Sequence, residues 1–99
     1  MTREAERVYT DPVAVARLES LIAGLPNGAR VALQLEDDGE LCGIVAARPI
    51  LQVFFDAAGD EGSNAVLRLE LDPVEGVGPA DVRDLWLDRI VEIRYVGPH

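Results

Sequence analysis

The stretch GELCGIVAARPILQVFF, residues 39–55, decides the fold because it is apolar on both of its faces. A half-buried strand alternates apolar and polar residues, and this stretch barely does. Pro49 interrupts it once, and a proline has no N–H to donate to a strand ladder. We therefore predict two strands, about residues 40–47 and 50–56, each with a second face that something else must cover.

The flanking segments also show a period of two. In ARVALQLEDDGEL, residues 29–41, Val31, Leu33 and Leu35 share one face, and DDGE is typical of a hairpin turn, with Asp38-Gly39 suited to positive φ. Gly43 marks a sharp bend or a close backbone approach in the second strand. After a polar loop at 56–64, AVLRLEL (65–71) and RIVEIRYV (89–96) predict two more strands. Within the connection 72–88, a short helical turn is expected to start at Pro79.

The sequence before these strands predicts one helix over residues 11–25. Asp11 is a good N-cap and Pro12 suits the first helical position, where its missing N–H costs nothing. Gly24 suits a left-handed C-cap, and Pro26 prevents continuation. The helix has one apolar stripe, formed by Val15, Leu18, Ile22 and Leu25 and widened by Ala14 and Leu21. Residues 1–10 are predicted to be a frayed lead-in.

Together these patterns predict a single α+β domain over residues 1–99. The N-terminal helix is followed, over residues 30–96, by a five-stranded, strongly bent antiparallel sheet that curls into a small barrel, with the long connection at 72–88. One face of the second and third strands fills the barrel. The N-terminal helix or a second subunit is expected to cover the other face.

Composition excludes several classes of protein. The 99 residues carry a net charge of -9, and all nine basic residues are arginines. This charge disfavours non-specific nucleic-acid binding, which depends on cations that neutralise phosphates. No apolar run approaches the roughly 18 residues of a membrane span, and the charged residues at 1–11 lead us to expect no secretory signal. Cys42 is the only cysteine. We therefore expect a cytoplasmic protein without disulfides or membrane contact.

Catalytic motifs are absent from the sequence. His99 is the only histidine and the last residue, which makes a histidine-based triad or metal site unfavourable. No P-loop, dinucleotide-binding glycine pattern or cysteine-based zinc spacing occurs. The acidic loop at 56–64 has oxygen ligands for a hard cation, but its spacing is not that of an EF-hand. We expect no enzyme activity, no cofactor and no metal.

The segment RVALQLEDDGELCGIV, residues 30–45, resembles the Sm-like small barrel of the Sm, Lsm and Hfq RNA-binding proteins. Its alternating first strand, hairpin Gly39 and bend Gly43 match, and DRIVEIRYV (88–96) resembles the closing strand. The chain is also similar to a small bacterial family described as a variant of the Sm-like motif. The resemblance implies an Sm-like fold. In Sm rings the fourth strand pairs with the fifth strand of a neighbour across a short connection.

The sequence departs from the Sm pattern where Sm proteins hold RNA. The turn AARPI (46–50) lacks the aspartate and asparagine that read bases, and WLDRIV (86–91) lacks the arginine-glycine pair. The long connection at 72–88 is expected to cap or block the ring-forming edges.

Two hypotheses for function remain. The first is a protein-interaction or self-assembly module that uses an apolar outer face formed by Ile44, Ile50 and Phe54. The alternative is a divergent RNA-binding protein, involved in RNA metabolism or translation regulation, whose contacts come from Arg30, Arg48, Arg94 and Trp86. The charge and the missing motifs favour the first hypothesis. For Trp86, packing against the barrel end is the simpler role.

Overall fold

The described residues form one N-terminal helix and seven short strands. The computed structural model describes residues 4–72 and 81–96. The elements are α1 (Pro12–Ala23), β1 (Arg30–Leu35), β2 (Glu40–Ala47), β3 (Gln52–Phe55), β4 (Glu61–Asn64), β5 (Val66–Leu71), β6 (Val82–Trp86) and β7 (Ile90–Tyr95). The prediction of one helix followed by a mostly antiparallel, strand-rich sheet is confirmed.

The helix begins as the sequence predicts and ends slightly earlier. The side chain of Asp11 accepts a hydrogen bond from the N–H of Ala14 at 3.1 Å, which satisfies one of the free donors of the first turn. Gly24 follows the helix with φ -86°, so the left-handed cap expected there is wrong. Instead its N–H donates to carbonyls of the last turn, including that of Ser20 at 3.2 Å. No helix among the described residues is long and apolar enough to cross a membrane.

Five strands form one antiparallel sheet in the order β6-β5-β2-β1-β7. The predicted third strand does not lie beside β2, because β5 occupies that position. β3 pairs instead with β4 in a separate two-stranded sheet. The prediction of a loop throughout residues 56–64 is therefore wrong in its second half, since residues 61–64 are a strand.

The long connection after β5 also contains a strand. β6 pairs along β5 with Val66 opposite Trp86 and Glu70 opposite Val82, so the helical turn expected around these residues is wrong from Val82 onward. Pro79 itself lies outside the described residues. A single 3-10 turn, Leu87–Arg89, joins β6 to β7. The two edge strands of the five-stranded sheet are thus joined by a three-residue connection rather than by the long insertion predicted.

The β1–β2 hairpin takes its shape from two positions. Asp38 lies in the left-handed region at φ 68°, and the N–H of Leu35 donates to the carbonyl of Gly39 at 2.8 Å. Gly43 allows the close approach predicted for it, because a Cβ atom there would lie 2.3 Å from the backbone oxygen of Glu70 in β5.

The core lies between one face of the five-stranded sheet and the helix. It joins side chains of α1 to inward-facing residues of the sheet and of the 3-10 turn; its largest fully buried members are Leu25, Leu33, Leu67, Leu69, Leu87, Ile90, Val31 and Val45. Leu18 and Leu21 of the helix belong to this same cluster. The helix therefore covers the core face. The prediction that the helix or a second subunit covers the second face of β2 is therefore wrong for the helix; Cys42 and Ile44 are half-buried on that face.

The N-terminal segment is held against the small sheet. The N–H of Ala5 donates to the carbonyl of Phe55 at 3.0 Å, and the backbones of Tyr9 and Ser63 exchange two hydrogen bonds of 2.9 and 2.8 Å. Ala5 is itself buried. From residue 4 onward, the lead-in is thus an ordered flank of β3 and β4 rather than the frayed segment predicted.

Candidate functional site

A cluster of polar side chains, with Asp88 and Asn64 inside and Arg7 at its exposed rim, lies where the 3-10 turn meets the N-terminal segment. The Asp88 side chain, only 7% exposed, accepts hydrogen bonds from the Tyr9 hydroxyl at 2.8 Å and from the Asn64 amide at 3.2 Å. Arg7 adds an ion pair through Nε at 3.2 Å. The Asn64 amide also donates to the carbonyl of Arg7, and its oxygen accepts from the N–H of Ala65. Each buried polar side-chain atom in the described part of the chain has a hydrogen-bond partner.

This cluster holds three parts of the molecule together. Asp88 comes from the turn before β7, Asn64 from the small sheet, and Arg7 and Tyr9 from the N-terminal segment. Burial raises the pKa of the Tyr9 hydroxyl, and its hydrogen bond to Asp88 raises it further. Because the donors and acceptors are already matched, the cluster is suited to fixing structure rather than to proton transfer.

A small cavity adjoins the cluster. Its volume is about 80 Å³, and its lining residues are Tyr9, Ala14, Arg17, Leu18, Leu21 and Asp88. A water molecule occupies about 30 Å³ of liquid, and ligand pockets of drug-sized molecules span roughly 300–1,000 Å³. The space fits a few waters. It is too small for a nucleotide or a cofactor.

Two of the arginines considered for RNA binding are engaged by acids on the outer face of the sheet. Arg30 Nη1 lies 3.1 Å from Asp72, and Arg94 pairs with Glu40 across β1. Both ion pairs are exposed, so each contributes at most about 1 kcal/mol to stability, and each arginine can exchange its carboxylate for another partner. Either guanidinium would meet a phosphate only beside the carboxylate that it already contacts, and that negative charge opposes the phosphate.

The remaining arginine lies at an open groove beside the helix. The groove is lined by Glu19, Ile22, Arg48, Pro49, Ile50 and Leu51. The backbone N–H of Arg48 donates to the side chain of Asn27. Glu19 places a carboxylate in the same groove, which opposes the approach of a phosphate.

The aromatic and apolar candidate residues lie in different environments. Trp86 packs edge-on against Phe54, with ring centroids 5.1 Å apart and planes at 84°. Phe54 is 6% exposed, whereas Ile50 is 67% exposed and Ile44 is half-buried on the outer face of β2. The structure thus joins Trp86 to Phe54, and Phe54 offers a partner little surface.

Exposed apolar side chains concentrate instead at the edges of the five-stranded sheet. Among the described residues, seven large hydrophobic side chains are exposed: Val13, Ile50, Val53, Val82, Val91, Tyr95 and Val96. Four of them belong to β6, to β7 or to the residue directly after β7. Sequence reasoning missed this set because it did not predict β6, and because the edge position of β7 depends on strand order.

The backbone at these edges has free hydrogen-bonding groups in the described structure. The N–H of Val96 donates to the carbonyl of Arg30, so alternation along β7 turns the N–H groups of Ile93 and Tyr95 away from β1. At the other edge, the N–H of Leu71 donates to the carbonyl of Asp81. By the same alternation, the N–H and C=O groups of Val82, Asp84 and Trp86 in β6 face away from β5. Both edges can therefore accept another strand.

The architecture defines the protein as a variant of the small Sm-like sheet. Along the chain, the hairpin of β3 and β4 is inserted between β2 and β5, which pair with each other. It is similar to a protein of Xanthomonas campestris whose crystal structure is described as adopting a novel variant of the Sm-like motif. The two are 32% identical, with a TM-score of 0.88, over 98% of this chain and 100% of that chain. The predicted resemblance is confirmed.

Residues 2–96 match the family described as "Domain of unknown function (DUF3247)", and the chain belongs to that family. No curated protein matches the chain significantly.

Proposed function

We propose that this protein is a non-enzymatic self-association module, in which an edge of the five-stranded sheet pairs with a second copy. The carrying observation is that, of the seven large hydrophobic side chains exposed in residues 4–72 and 81–96, four lie in or directly after the two edge strands. Pairing at an edge would bury apolar surface and satisfy outward-facing N–H and C=O groups in one step.

Soluble proteins protect an edge with charged side chains, above all lysine, or with prolines, bulges or a covering segment. In the described residues the two edge strands carry two charged side chains each, one acidic and one basic, but they lack two of these features. The chain has no lysine, and β6 and β7 contain no proline. β7 has one bulge, where the register shifts opposite Gln34 and Leu35, and it still exposes Val91 and Tyr95. In the Sm-like rings that the fold resembles, pairing occurs between edge strands in these positions.

Sedimentation equilibrium tests the proposal. We expect the wild type to sediment as an oligomer at tens of micromolar, and the double variant Val82→Arg, Val91→Arg to sediment as a monomer, because a charge on each edge strand opposes pairing. Val13→Arg is the matched control, since Val13 is 77% exposed on the helix and should leave the oligomer intact. A monomeric wild type, or an equal loss in the control, refutes the proposal.

RNA binding is the alternative function, and one measurement separates it from self-association. The purified protein should show the absorbance ratio at 260 and 280 nm of a protein without nucleic acid. A raised ratio that falls on ribonuclease treatment, with Arg48→Ala removing it, would favour RNA binding instead.

A further inference from the structure

We infer that two copies of the chain associate through β7 alone, by antiparallel pairing about a two-fold axis at Ile93, to give one continuous ten-stranded sheet. This inference rests on the proposed self-association and specifies which edge is used. The outward direction of the backbone groups of β7 and the order of its charged residues support this edge.

The backbone of β7 suits such an axis. The N–H and C=O of Ile93 face away from β1, as shown by the alternate bonding of Val96 to Arg30. When two such strands meet with Ile93 opposite Ile93 of the second copy, each N–H donates to the other's carbonyl. The N–H and C=O of Tyr95 also face away from β1.

The same axis fixes the side-chain partners on the outer face of the sheet. Residues one position before and after Ile93 become cross-strand neighbours, so Glu92 lies opposite Arg94 of the second copy, and Arg94 opposite its Glu92. Two ion pairs of opposite charge result from a single register. Symmetry makes these two pairs equivalent.

The two charges are free to make these contacts. In residues 4–72 and 81–96, no ion pair involves Glu92. Arg94 pairs with Glu40, yet its side chain is 60% exposed and its guanidinium has further N–H groups for a second carboxylate. Association would thus give Glu92 a partner without removing the one that Arg94 already has.

On the opposite face the axis places the half-buried Ile93 side chains of the two copies opposite each other. Tyr95, which is 62% exposed, shares this face and flanks the contact at both ends. Val91 is the extra residue of the bulge, because Glu92 lies opposite Gln34 and Ile90 lies opposite Leu35, so its side chain does not continue the alternation. The two charge pairs and the outward-facing backbone groups therefore select this register.

The other edge does not offer this self-complementarity. In β6 the outward-facing backbone groups belong to Val82, Asp84 and Trp86. A two-fold axis at the middle of that strand would place Asp84 opposite Asp84 of the second copy, and like charges directly opposite are destabilising. Pairing of β6 with β7 of a neighbour would instead produce larger assemblies than a dimer.

Charge exchange tests the inference. Glu92→Arg and Arg94→Glu each replace two attractive contacts by two repulsive ones, and we expect either variant alone to raise the dimer dissociation constant about thirtyfold. An equimolar mixture of the two variants should recover the dimer, because one chain then carries two positive charges and the other two negative charges. The double variant Glu92→Arg, Arg94→Glu should dimerise like the wild type.

Sedimentation equilibrium, with native mass spectrometry to identify mixed dimers, separates the outcomes, and circular dichroism checks that each variant is folded. Recovery on mixing supports pairing through β7. If the wild type is a dimer and neither single variant weakens it, or if mixing gives no recovery, the β7 interface is refuted while the self-association module stands. A wild type larger than a dimer also refutes the two-fold pairing alone. A monomeric wild type refutes both.

Discussion

Replacing Gly43 by alanine should destabilise the fold strongly. The new Cβ atom would lie 2.3 Å from the backbone oxygen of Glu70 and 3.1 Å from the Cα atom of Leu71. Ordinary van der Waals contact begins near 3.4 Å, so β5 must move from β2 by about 1 Å. Both contacted atoms are main chain, and no rotamer change relieves the clash.

The magnitude follows from this geometry. Overpacking costs typically 1–3 kcal/mol, and a clash with a central strand belongs at the upper end of that range. Alanine recovers about 0.4–1 kcal/mol by restricting the unfolded chain. We expect a net loss of about 2 kcal/mol in the free energy of unfolding. For a domain of this size, that corresponds to a melting temperature roughly 8–16 °C lower.

Urea unfolding followed by circular dichroism measures this loss. Gly39→Ala is the matched control, because the atom nearest to its added Cβ would be the end of the Asp37 side chain, at 3.0 Å, and this flexible side chain can shift by a few tenths of an ångström. The control should change stability by less than about 0.5 kcal/mol. Equal stability of the two variants would show that the close approach of β2 and β5 does not limit residue size at Gly43.

Three further predictions concern the hairpin turn and the buried cluster. Asp88→Ala removes the acceptor of three polar contacts and should lower the free energy of unfolding in urea by about 2–4 kcal/mol. The control Asp84→Ala removes an exposed ion pair and should lower it by less than about 1 kcal/mol. Similar losses in the two variants would contradict the structural role of the cluster. Asp38→Gly should stabilise the hairpin by several tenths of a kcal/mol, because Asp38 has φ 68° and glycine adopts that conformation without strain. The control Asp37→Gly should destabilise the hairpin, because it removes the side chain that accepts a hydrogen bond from the N–H of Gly39. A loss of stability in Asp38→Gly would contradict this prediction. The raised pKa of Tyr9 means that its contribution to stability is complete below its unfolded pKa near 10 and is lost as pH rises through the folded pKa. Tyr9→Phe should therefore flatten the decline in stability measured above pH 10, and an unchanged decline would contradict it.

Local patterns predicted the elements that form from neighbouring residues. Asp11 and Pro12 mark the start of α1, and the alternation in residues 30–45 predicts β1, β2 and their turn, because caps and hairpins depend on residues close in sequence. The close approach at Gly43 was also predictable, because a glycine inside an apolar strand leaves room for a neighbouring backbone that a side chain would fill.

The remainder depends on contacts between distant parts of the chain. β4 has the sequence EGSN, which has little strand propensity, and it is extended because it pairs with β3 and with Tyr9. Asp88 and Tyr9 meet across 79 positions, so no local spacing points to their hydrogen bond. Strand order has the same origin: nothing in the apolar segment 50–56 shows that β5, rather than this segment, will pair with β2.

The attachment of residues 4–10 to the small sheet divides the molecule into regions of unequal local stability. A two-stranded sheet is marginal by itself, and here the bonds of Ala5 and Tyr9 supply part of a third strand. The amides of β3, β4 and the N-terminal segment should therefore exchange with deuterium as one cooperative unit, at a lower opening free energy than those of β1 and β2. In the proposed dimer, β7 belongs to the larger sheet, so this unit would open and close without separating the two copies.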